Sequence, residues 1–376
     1  MFKDKKPIPV LGLMLFLSAC LLSCDKPAAN NFVIPAPTPG GSSSGTGGGT
    51  ETVTLCTDIG ETPIVLAYFT EYTEVMPDPT LLTHINYAHG RFRNPSTGDG
   101  GIVVTESKKA PISSVVALKS KNPKLKVMLM IGGWGKNADG FSEMAKSGAK
   151  RTEFCQSVKS ILDKYKLDGV DIDWEYPTSD MAGISASPDD TDNFTLLMRD
   201  LRAALGPDKF LTIATSATAQ YIDYKAIVEY LDFVNVMAYD MSMGDSHHSG
   251  LYPSAFSADL TSDGAVKAHL AAGVPKEKLV MGMPFYGRGT RRFGRYIDYK
   301  AVAAEGYTVC WDEVSEVPFV VDSARNYVFG FENPRSLGLK CAYIVEQGLH
   351  GGMYWDYSGD NAEHDLARTV RDGLLK

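Results

Sequence analysis

The chain has 376 residues, of which 44% are hydrophobic and 22% charged, and its formal net charge at pH 7 is -8. This length suits one large domain or two smaller ones, and the composition is that of a globular protein. The negative charge and the lack of a Lys/Arg-rich stripe argue against a nucleic-acid partner, so we expect a neutral or weakly charged ligand.

The N-terminal 24 residues have the pattern of a secretion signal. Lysines precede an apolar run over residues 8–22, which is too short for a comfortable membrane-spanning helix and has the length of a signal h-region. Cys20 and Cys24 both follow small residues, in a context that resembles the bacterial lipoprotein signal, and polar sequence begins directly after Cys24. We therefore predict a lipoprotein signal peptide over residues 1–24 and a lipid anchor at Cys24, on the surface or periplasmic face of a bacterial cell envelope. An ordinary cleaved signal followed by free secretion is the alternative.

Residues 25–62 are rich in Pro, Gly, Ser and Thr. Such a segment cannot bury enough apolar surface to order itself, so it is predicted to be a flexible linker. The folded domain is then expected over residues 63–376.

The folded part alternates strand-like runs with amphipathic stretches. Helices are predicted over residues 112–121, 151–165, 192–205 and 261–272, with Asp192 as an N-cap. Several strand-like runs are almost continuously apolar, as in parallel strands that are covered on both faces. Eight βα units in about 310 residues indicate a (β/α)8 TIM barrel. The predicted strands are 64–69, 84–88, 126–131, 169–175, 210–215, 233–239, 279–284 and 351–355.

The connection between the seventh and eighth strands is unusually long. It spans about 60 residues, which exceeds the usual length of a βα connection. We expect a small α+β insertion at about residues 290–333, forming a wall on one side of a cleft, with the last barrel helix at 334–346.

The most informative segment is the fourth strand, where Asp171, Asp173 and Glu175 stand at i, i+2 and i+4. Strand alternation places these carboxylates on one face and Trp174 on the opposite, core-facing side. Mutual repulsion should leave at least one carboxyl protonated at neutral pH, as a general acid requires. A calcium loop that starts at Asp171 would need glycine at its sixth position and glutamate at its twelfth, and the chain has neither. The pattern therefore predicts the catalytic strand of a glycosidase.

Aromatic and polar residues stand at the ends of the other strands, where the active site of a TIM barrel lies. Sugar rings stack on aromatic side chains, and their hydroxyls bind acids, tyrosines and arginines. The candidate substrate-binding residues are Tyr68, Trp134, Met237, Asp240, Tyr286, Arg288 and Trp355, with Tyr239 beside them.

Neither a metal nor a cofactor is predicted. His247 and His248 are adjacent on a loop and lack a third well-spaced ligand, so a metal site there is disfavoured. Cys310 and Cys341 are either a disulfide pair or structural thiols.

Together these segments resemble glycoside hydrolase family 18, the chitinases and their relatives. Residues 168–175 match the family signature D-x-x-D-x-D-x-E, and four further blocks occur in the family's order, so the resemblance runs from about residue 63 to the C-terminus. The blocks are residues 131–134, 237–240, 282–288 and 351–356.

The resemblance implies a role for each catalytic residue. Glu175 would protonate the glycosidic oxygen, and Asp173 would orient the 2-acetamido group of the substrate, with Asp171 tuning Asp173 from below. Tyr239 would hydrogen-bond the acetamido carbonyl. The implied mechanism is substrate-assisted and retaining, because the acetamido oxygen attacks the anomeric carbon. A conventional nucleophile, Asp240 or Asp356, is the alternative.

The same resemblance implies a substrate groove. Trp355 would lie under the sugar that is cleaved, Asp240, Tyr286 and Arg288 along the groove, and Met237 and Tyr68 at its base. The expected substrate is a chain of N-acetylglucosamine units, bound by a monomer. An endo-β-N-acetylglucosaminidase acting on N-glycan cores and a non-catalytic sugar-binding lectin are the alternatives.

Two positions depart from the family pattern. Met130 stands where the family usually has serine, close to the acidic strand, and His89 stands where it usually has phenylalanine. We expect the first change to alter the protonation of the three carboxylates.

Overall fold

The computed structural model describes residues 63–242, 244–257, 260–289 and 296–375, without the side chains of residues 304 and 305. The predicted signal peptide, Cys24 and the linker lie outside the described residues. Within them, no helix is long and apolar enough to span a membrane.

The strands form two sheets. In chain order they are β1 (Ile64–Phe69), β2 (His84–Phe92), β3 (Ile102–Val104), β4 (Lys126–Gly133), β5 (Gly169–Trp174), β6 (Phe210–Ser216), β7 (Phe233–Met237), β8 (Leu279–Pro284), β9 (Tyr286–Gly289), β10 (Ile297–Asp298), β11 (Val309–Asp312), β12 (Val317–Val321), β13 (Tyr327–Gly330) and β14 (Gly351–Trp355).

Eight parallel strands close into a barrel, in the order β1-β14-β8-β7-β6-β5-β4-β2, and β2 pairs back onto β1. The short β3 extends β2 as an antiparallel neighbour. The predicted (β/α)8 barrel is confirmed. Five predicted strand ends are wrong: β2, β4 and β6 continue to Phe92, Gly133 and Ser216, whereas β5 ends at Trp174 and β7 at Met237. The chain leaves the sheet there, so Glu175, Tyr239 and Asp240 lie on the loops above the barrel.

Nine helices are described: α1 (Ile112–Ala117), α2 (Phe141–Ala145), α3 (Gly148–Tyr165), α4 (Asp190–Leu205), α5 (Tyr224–Ile227), α6 (Ser262–Ala272), α7 (Tyr299–Glu305), α8 (Pro334–Gln347) and α9 (Asp365–Leu374). The predicted N-cap at Asp192 is wrong, because α4 begins at Asp190 and Asp192 lies in its first turn. The buried Asp190 carboxylate accepts hydrogen bonds from the Ser142 hydroxyl (2.9 Å) and the Ser187 amide (2.7 Å), which ties the start of the helix to α2 and the preceding loop.

The chain between β8 and β14 forms a separate antiparallel sheet of five strands, in the order β10-β9-β13-β12-β11, together with α7. This sheet begins at Tyr286, directly after β8 and earlier than the expected start near residue 290. It stands at the end of the barrel where the acidic strand terminates, so it is placed to form one wall of a cleft.

Apolar packing lies on both sides of the barrel strands. One cluster fills the interior, and a larger one lies between the strands and the helices. Trp174 belongs to the outer cluster and stacks on Phe141 of α2, with ring centroids 5.2 Å apart and planes 11° apart. The prediction that Trp174 is a core residue is confirmed.

Cys310 and Cys341 are both free thiols. Of the two alternatives, the disulfide pair is therefore excluded. Cys341 is buried within α8 and its thiol faces the Val370 carbonyl of α9 at 3.9 Å, whereas Cys310 lies on β11 of the insertion.

Candidate active site

Asp171 forms the buried base of the acidic strand. Its carboxylate accepts hydrogen bonds from the Tyr68 hydroxyl (2.8 Å), the Thr212 hydroxyl (2.5 Å) and the Asn235 amide (3.0 Å). Burial raises the pKa of Asp171, and the hydrogen bonds from Thr212, Tyr68 and Asn235 oppose that rise. Donors that favour the charged form of a buried acid allow it to remain an acceptor inside the barrel.

Strand register explains where these donors come from. Asp171 of β5 stands directly beside Thr212 of β6, and on the other side beside Met130 of β4. Met130 therefore lies beside the Asp171 carboxylate, as the sequence predicted. Thr212, on the strand at the other side of β5, supplies a hydroxyl to that carboxylate. Sequence reasoning missed Thr212 and Asn235 as site residues, although both face inward on apolar strands.

Asp173 and Glu175 both have raised pKa values. Burial raises the pKa of Asp173 well above its usual range, and the charges of Glu175 and Asp171 add to the effect. Burial also raises the pKa of Glu175 to about 7; a hydrogen bond from Tyr176 opposes the rise and the charge of Asp240 adds to it. The two carboxyls titrate as a coupled pair that retains a proton near neutral pH. Such a pair can deliver a proton to a bound substrate.

Two buried tyrosines stand beside this pair. Burial and the charges of Asp171 and Asp173 raise the pKa of Tyr68 well above its usual range, and burial followed by the charges of Asp173 and Asp240 does the same for Tyr239. Both phenols therefore remain protonated and can donate a hydrogen bond. Tyr68 uses its proton on Asp171, whereas Tyr239 can offer its own to a ligand.

Asp240 is the ionised member of the site. Its carboxylate accepts hydrogen bonds from the Tyr286 hydroxyl (2.8 Å) and from Nε and Nη2 of Arg288 (2.7 Å each). His248 lies on another side, with Nδ1 3.6 Å from Oδ1 of Asp240. Burial opposes ionisation of Asp240, but the hydrogen bonds and charges of Arg288 and His248 outweigh it and hold the pKa well below its usual range.

Trp355 is the last residue of β14 and lies at the same end of the barrel as the acids. Its ring lies 5.5 Å from that of Tyr68 and 6.1 Å from that of His89, between centroids. Together with Met237 it packs against the interior cluster of the barrel while remaining partly exposed. The structure thus brings together the predicted residues of the barrel centre around one opening.

Trp134 lies on a different side of this opening. It is 53% exposed and its ring contacts Tyr176 edge-on at 6.4 Å, while Tyr176 stacks on Tyr221 at 5.0 Å. Tyr176 also hydrogen-bonds Glu175. Sequence reasoning missed Tyr176, because strand alternation was extended past Trp174, where β5 ends. It also missed Tyr221, which lies between β6 and α5.

The unusual His89 is tied to a charged pair. Its Nδ1 lies 2.6 Å from the carboxylate of Glu71, whose other oxygen accepts a hydrogen bond from Arg91. Burial opposes ionisation of Glu71, but the hydrogen bond and charge of His89 and the charge of Arg91 lower its pKa. The departure from phenylalanine therefore places a buried polar network beside Trp355.

The adjacent histidines 247 and 248 contact different carboxylates. His247 contacts Asp312 at 3.1 Å and His248 faces Asp240, so the two rings have separate partners. Among the residues that the structure describes, no group of three potential ligands could hold a metal ion.

The family model for glycosyl hydrolases family 18 matches residues 64–360 of this chain. The match covers the whole barrel and the insertion, including every site residue described above. The chain therefore belongs to glycosyl hydrolase family 18.

The curated proteins similar to this chain include a chitinase and a chitotriosidase. The chain is 32% identical to Chitinase A1 of Niallia circulans over 393 residues, covering 80% of this chain and 56% of that one. It is 30% identical to Chitotriosidase-1 of Mus musculus, covering 82% and 75%. The chain thus spans little more than half of the first relative's length.

Solved structures show the same fold. A family 18 N-acetylglucosaminidase from Paenibacillus barengoltzii has a TM-score of 0.74 and 33% identity, covering 83% of this chain and all of that one. The cell-surface-expressed chitinase ChiW from a Paenibacillus species has a TM-score of 0.75 and 30% identity, covering 83% of this chain and 43% of that one.

Proposed function

We propose that this protein hydrolyses chains of β-1,4-linked N-acetylglucosamine, as chitin or chito-oligosaccharides, with net retention at the anomeric carbon. The observation that carries the proposal is the coupled pair at the top of β5, where burial raises the pKa of Glu175 to about 7 beside a second carboxyl, Asp173. The chitinase names of the relatives support the same substrate class.

In the proposed mechanism the substrate supplies its own nucleophile. Glu175 donates its proton to the glycosidic oxygen, the bond from that oxygen to the anomeric carbon breaks, and the acetamido oxygen forms a bond to the same carbon. Asp173 accepts a hydrogen bond from the acetamido N–H and stabilises the positive charge that develops there, while the Tyr239 hydroxyl donates to the acetamido group. The resulting oxazolinium-like intermediate is opened by water, whose proton returns to Glu175.

Asp240 and Asp356, the two candidates for a conventional nucleophile, are hydrogen-bonded to other side chains or amides. Asp240 is paired with Arg288, and Asp356 accepts hydrogen bonds from the amide and hydroxyl of Ser358. A carboxylate whose lone pairs are already bound is a weak nucleophile, which favours the substrate-assisted route over a covalent one.

Two alternatives differ from this proposal in substrate or chemistry. An endo-β-N-acetylglucosaminidase would use the same carboxyls on an N-glycan core. A lectin would need no acid, so the buried Glu175 with its raised pKa favours an enzyme over a binding protein.

The test compares the wild-type protein with Glu175→Gln on chito-oligosaccharides and on their de-N-acetylated counterparts, with products followed by mass spectrometry. We expect cleavage of the acetylated chains only, and a loss of roughly 10²- to 10⁴-fold in the variant, because a positioned general acid contributes that much. Glu153→Gln, an exposed position on α3, is the matched control and should retain full activity.

Binding of acetylated chains without cleavage would contradict the proposal and favour the lectin. Cleavage of N-glycan cores alone would favour the endo-β-N-acetylglucosaminidase.

The lipid anchor at Cys24 is part of the same proposal. An anchored enzyme with a tether over residues 25–62 would act on oligosaccharides at the cell envelope. Its support is the residue pattern of the N-terminus.

A further inference from the structure

The backbone of Asp240 has an unusual conformation for a residue with a side chain. Its φ angle is 56°, in the left-handed region that residues with a Cβ atom seldom adopt. Asp240 follows the end of β7 at Met237, so the strand pairing of the barrel does not hold it there. A backbone in this region persists when contacts around it fix its conformation.

His248 makes such contacts from the other end of the same loop. The backbone N–H of Asp240 donates a hydrogen bond to Nδ1 of His248 (3.4 Å), and the N–H of Met241 donates to the carbonyl of His248 (3.1 Å). The same Nδ1 lies 3.6 Å from Oδ1 of Asp240. One histidine therefore faces both the backbone and the carboxylate of Asp240.

The buried ring of His248 is itself fixed by its surroundings. It packs against the ring of Tyr286 at 5.4 Å between centroids, and Tyr286 donates to the Asp240 carboxylate. The next residue, Ser249, donates to the buried Glu332 at 2.6 Å. Nε2 of His248 is buried and has no hydrogen-bond partner among the residues that the structure describes. The polar contacts of this ring with those residues are therefore made through Nδ1.

The place of the Asp240 carboxylate matters for the acid of the site. Burial raises the pKa of Glu175, a hydrogen bond from Tyr176 opposes the rise, and the charge of Asp240 adds to it. The interaction of two charges weakens as they separate. A change in the backbone of Asp240 would therefore alter how strongly its carboxylate acts on Glu175.

We propose that His248 is a positioning residue for the reaction, because its Nδ1 holds Asp240 in the left-handed conformation that keeps the Asp240 carboxylate near Glu175. The inference rests on the proposed function. Because His248 is fully buried, it acts through Asp240 and not on the substrate. The titratable and charged groups around it are Asp240, Tyr286, Arg288, His247 and, through Ser249, Glu332.

The test compares three substitutions of His248 through the pH profile of kcat/KM on acetylated chito-oligosaccharides. An asparagine oxygen can take the position of Nδ1, whereas glutamine places its amide near Nε2 and leucine has no polar atom. We expect His248→Asn to keep the wild-type profile. In His248→Leu and His248→Gln the alkaline fall should begin at a lower pH, and kcat/KM near neutral pH should drop several-fold.

A double variant tests whether His248 acts through Asp240. In Asp240→Asn the negative charge is already absent, so adding His248→Leu should move the alkaline limb no further. A second displacement of the limb in the double variant would overturn the inference.

His350→Leu is the matched control. His350 is also a buried histidine whose Nε2 has no partner among the described residues, but it precedes β14 at the opposite end of the barrel. We expect this variant to lose thermal stability and to keep the wild-type alkaline limb. Thermal unfolding of every variant shows that each profile belongs to folded protein.

The outcomes separate the two proposals. If the wild-type protein cleaves no acetylated chain, the proposed function fails. If it cleaves these chains but the folded leucine and glutamine variants keep its alkaline limb, the inference about His248 alone is overturned. A limb that moves equally far in His248→Asn, or in His350→Leu, overturns it as well. If His248→Leu does not fold, His248→Gln decides the comparison with His248→Asn, and the double variant is made with glutamine.

Discussion

Three carboxyls at one end of the barrel have three different electrostatic surroundings. Asp171 is buried among hydrogen-bond donors, Glu175 is buried with one opposing donor, and Asp240 is paired with Arg288. Environments that push such pKa values apart are what assign acid and base roles within one site. Burial raises the pKa of Glu175 to about 7, which suits a general acid near neutral pH.

The rate should therefore depend on pH through Glu175. Because the acid form of Glu175 is required, we expect kcat/KM to be maintained below its pKa and to fall as the pH rises through about 7. Asp240→Asn removes a negative charge that raises this pKa and keeps the positive Arg288 nearby. The fall should then begin at a lower pH, and kcat/KM profiles of the two proteins would show it.

The position of the profile is the decisive quantity here, since Asp240→Asn also weakens substrate binding at every pH. A profile that falls in height while its alkaline limb stays in place would contradict the assigned electrostatic role. Asp163→Asn removes an exposed charge on α3 and is the control for the pH profile of kcat/KM.

Among the elements, α8 is held to the insertion by a buried ion pair. Lys340 of α8 and Glu332, just after β13, have fully buried side chains in contact with one another, and Lys340 also donates to the Ser249 carbonyl. Ser249 in turn donates to Glu332 at 2.6 Å. The pair thus joins the helix before β14 to the loop that carries His248.

Removing one partner of this pair should be strongly destabilising. Lys340→Met leaves Glu332 buried without its cation, and we expect a loss of about 3–5 kcal/mol in the free energy of unfolding, measured by urea denaturation. Lys159→Met breaks an exposed pair on α3 and should lose less than about 1 kcal/mol. Equal losses of unfolding free energy in the two variants would show that the buried pair stabilises the fold no more than the exposed pair does.

Sequence reasoning found the elements better than their ends. Continuous apolar runs predicted the barrel strands, because both faces of these strands are buried. The end of β5 at Trp174 was missed, since periodicity carries no signal for where a chain leaves a sheet. Three cis peptide bonds, at Ala88-His89, Glu175-Tyr176 and Trp355-Asp356, also had no signature in the sequence.

Partners across strands were equally beyond the reach of a single sequence. Thr212 became a site residue only when register placed β6 beside Asp171, and Asn235 only when closure of the barrel turned the inner face of β7 toward the same carboxylate. Tyr176 was adjacent to the acid in the chain and was missed by extending alternation one step too far. The acids of the site were predicted from the sequence, whereas Thr212 and Asn235, which donate to Asp171 from other strands, were not.

At the scale of the molecule, the barrel is closed and its opening is bordered by loops and by the insertion. Strand pairing between β1 and β2 completes the ring, so the barrel has no free parallel edge. The predicted N-terminal tether enters directly before β1, at residue 63. Anchoring and catalysis are therefore expected to be separable.

The lipid anchor gives a prediction at this scale. In a bacterial host that processes lipoproteins, the full-length protein should partition with membranes, and Cys24→Ala should release it or block its processing, with unchanged activity per molecule. Cell fractionation and intact-mass measurement would show this. Cys20→Ala is the matched control, and a release caused by Cys20→Ala instead would move the anchor to that residue.

The stacking of Trp174 on Phe141 has a consequence for how this chain can vary. The inner face of β5 holds the acids and the outer face holds this aromatic contact, so inserting or deleting one residue within β5 exchanges the two faces. Such a change would bring carboxylates against α2 and an indole into the barrel. A one-residue shift of β5 is therefore expected to cost the fold as well as the acids, whereas a substitution such as Glu175→Gln can remove the acid alone.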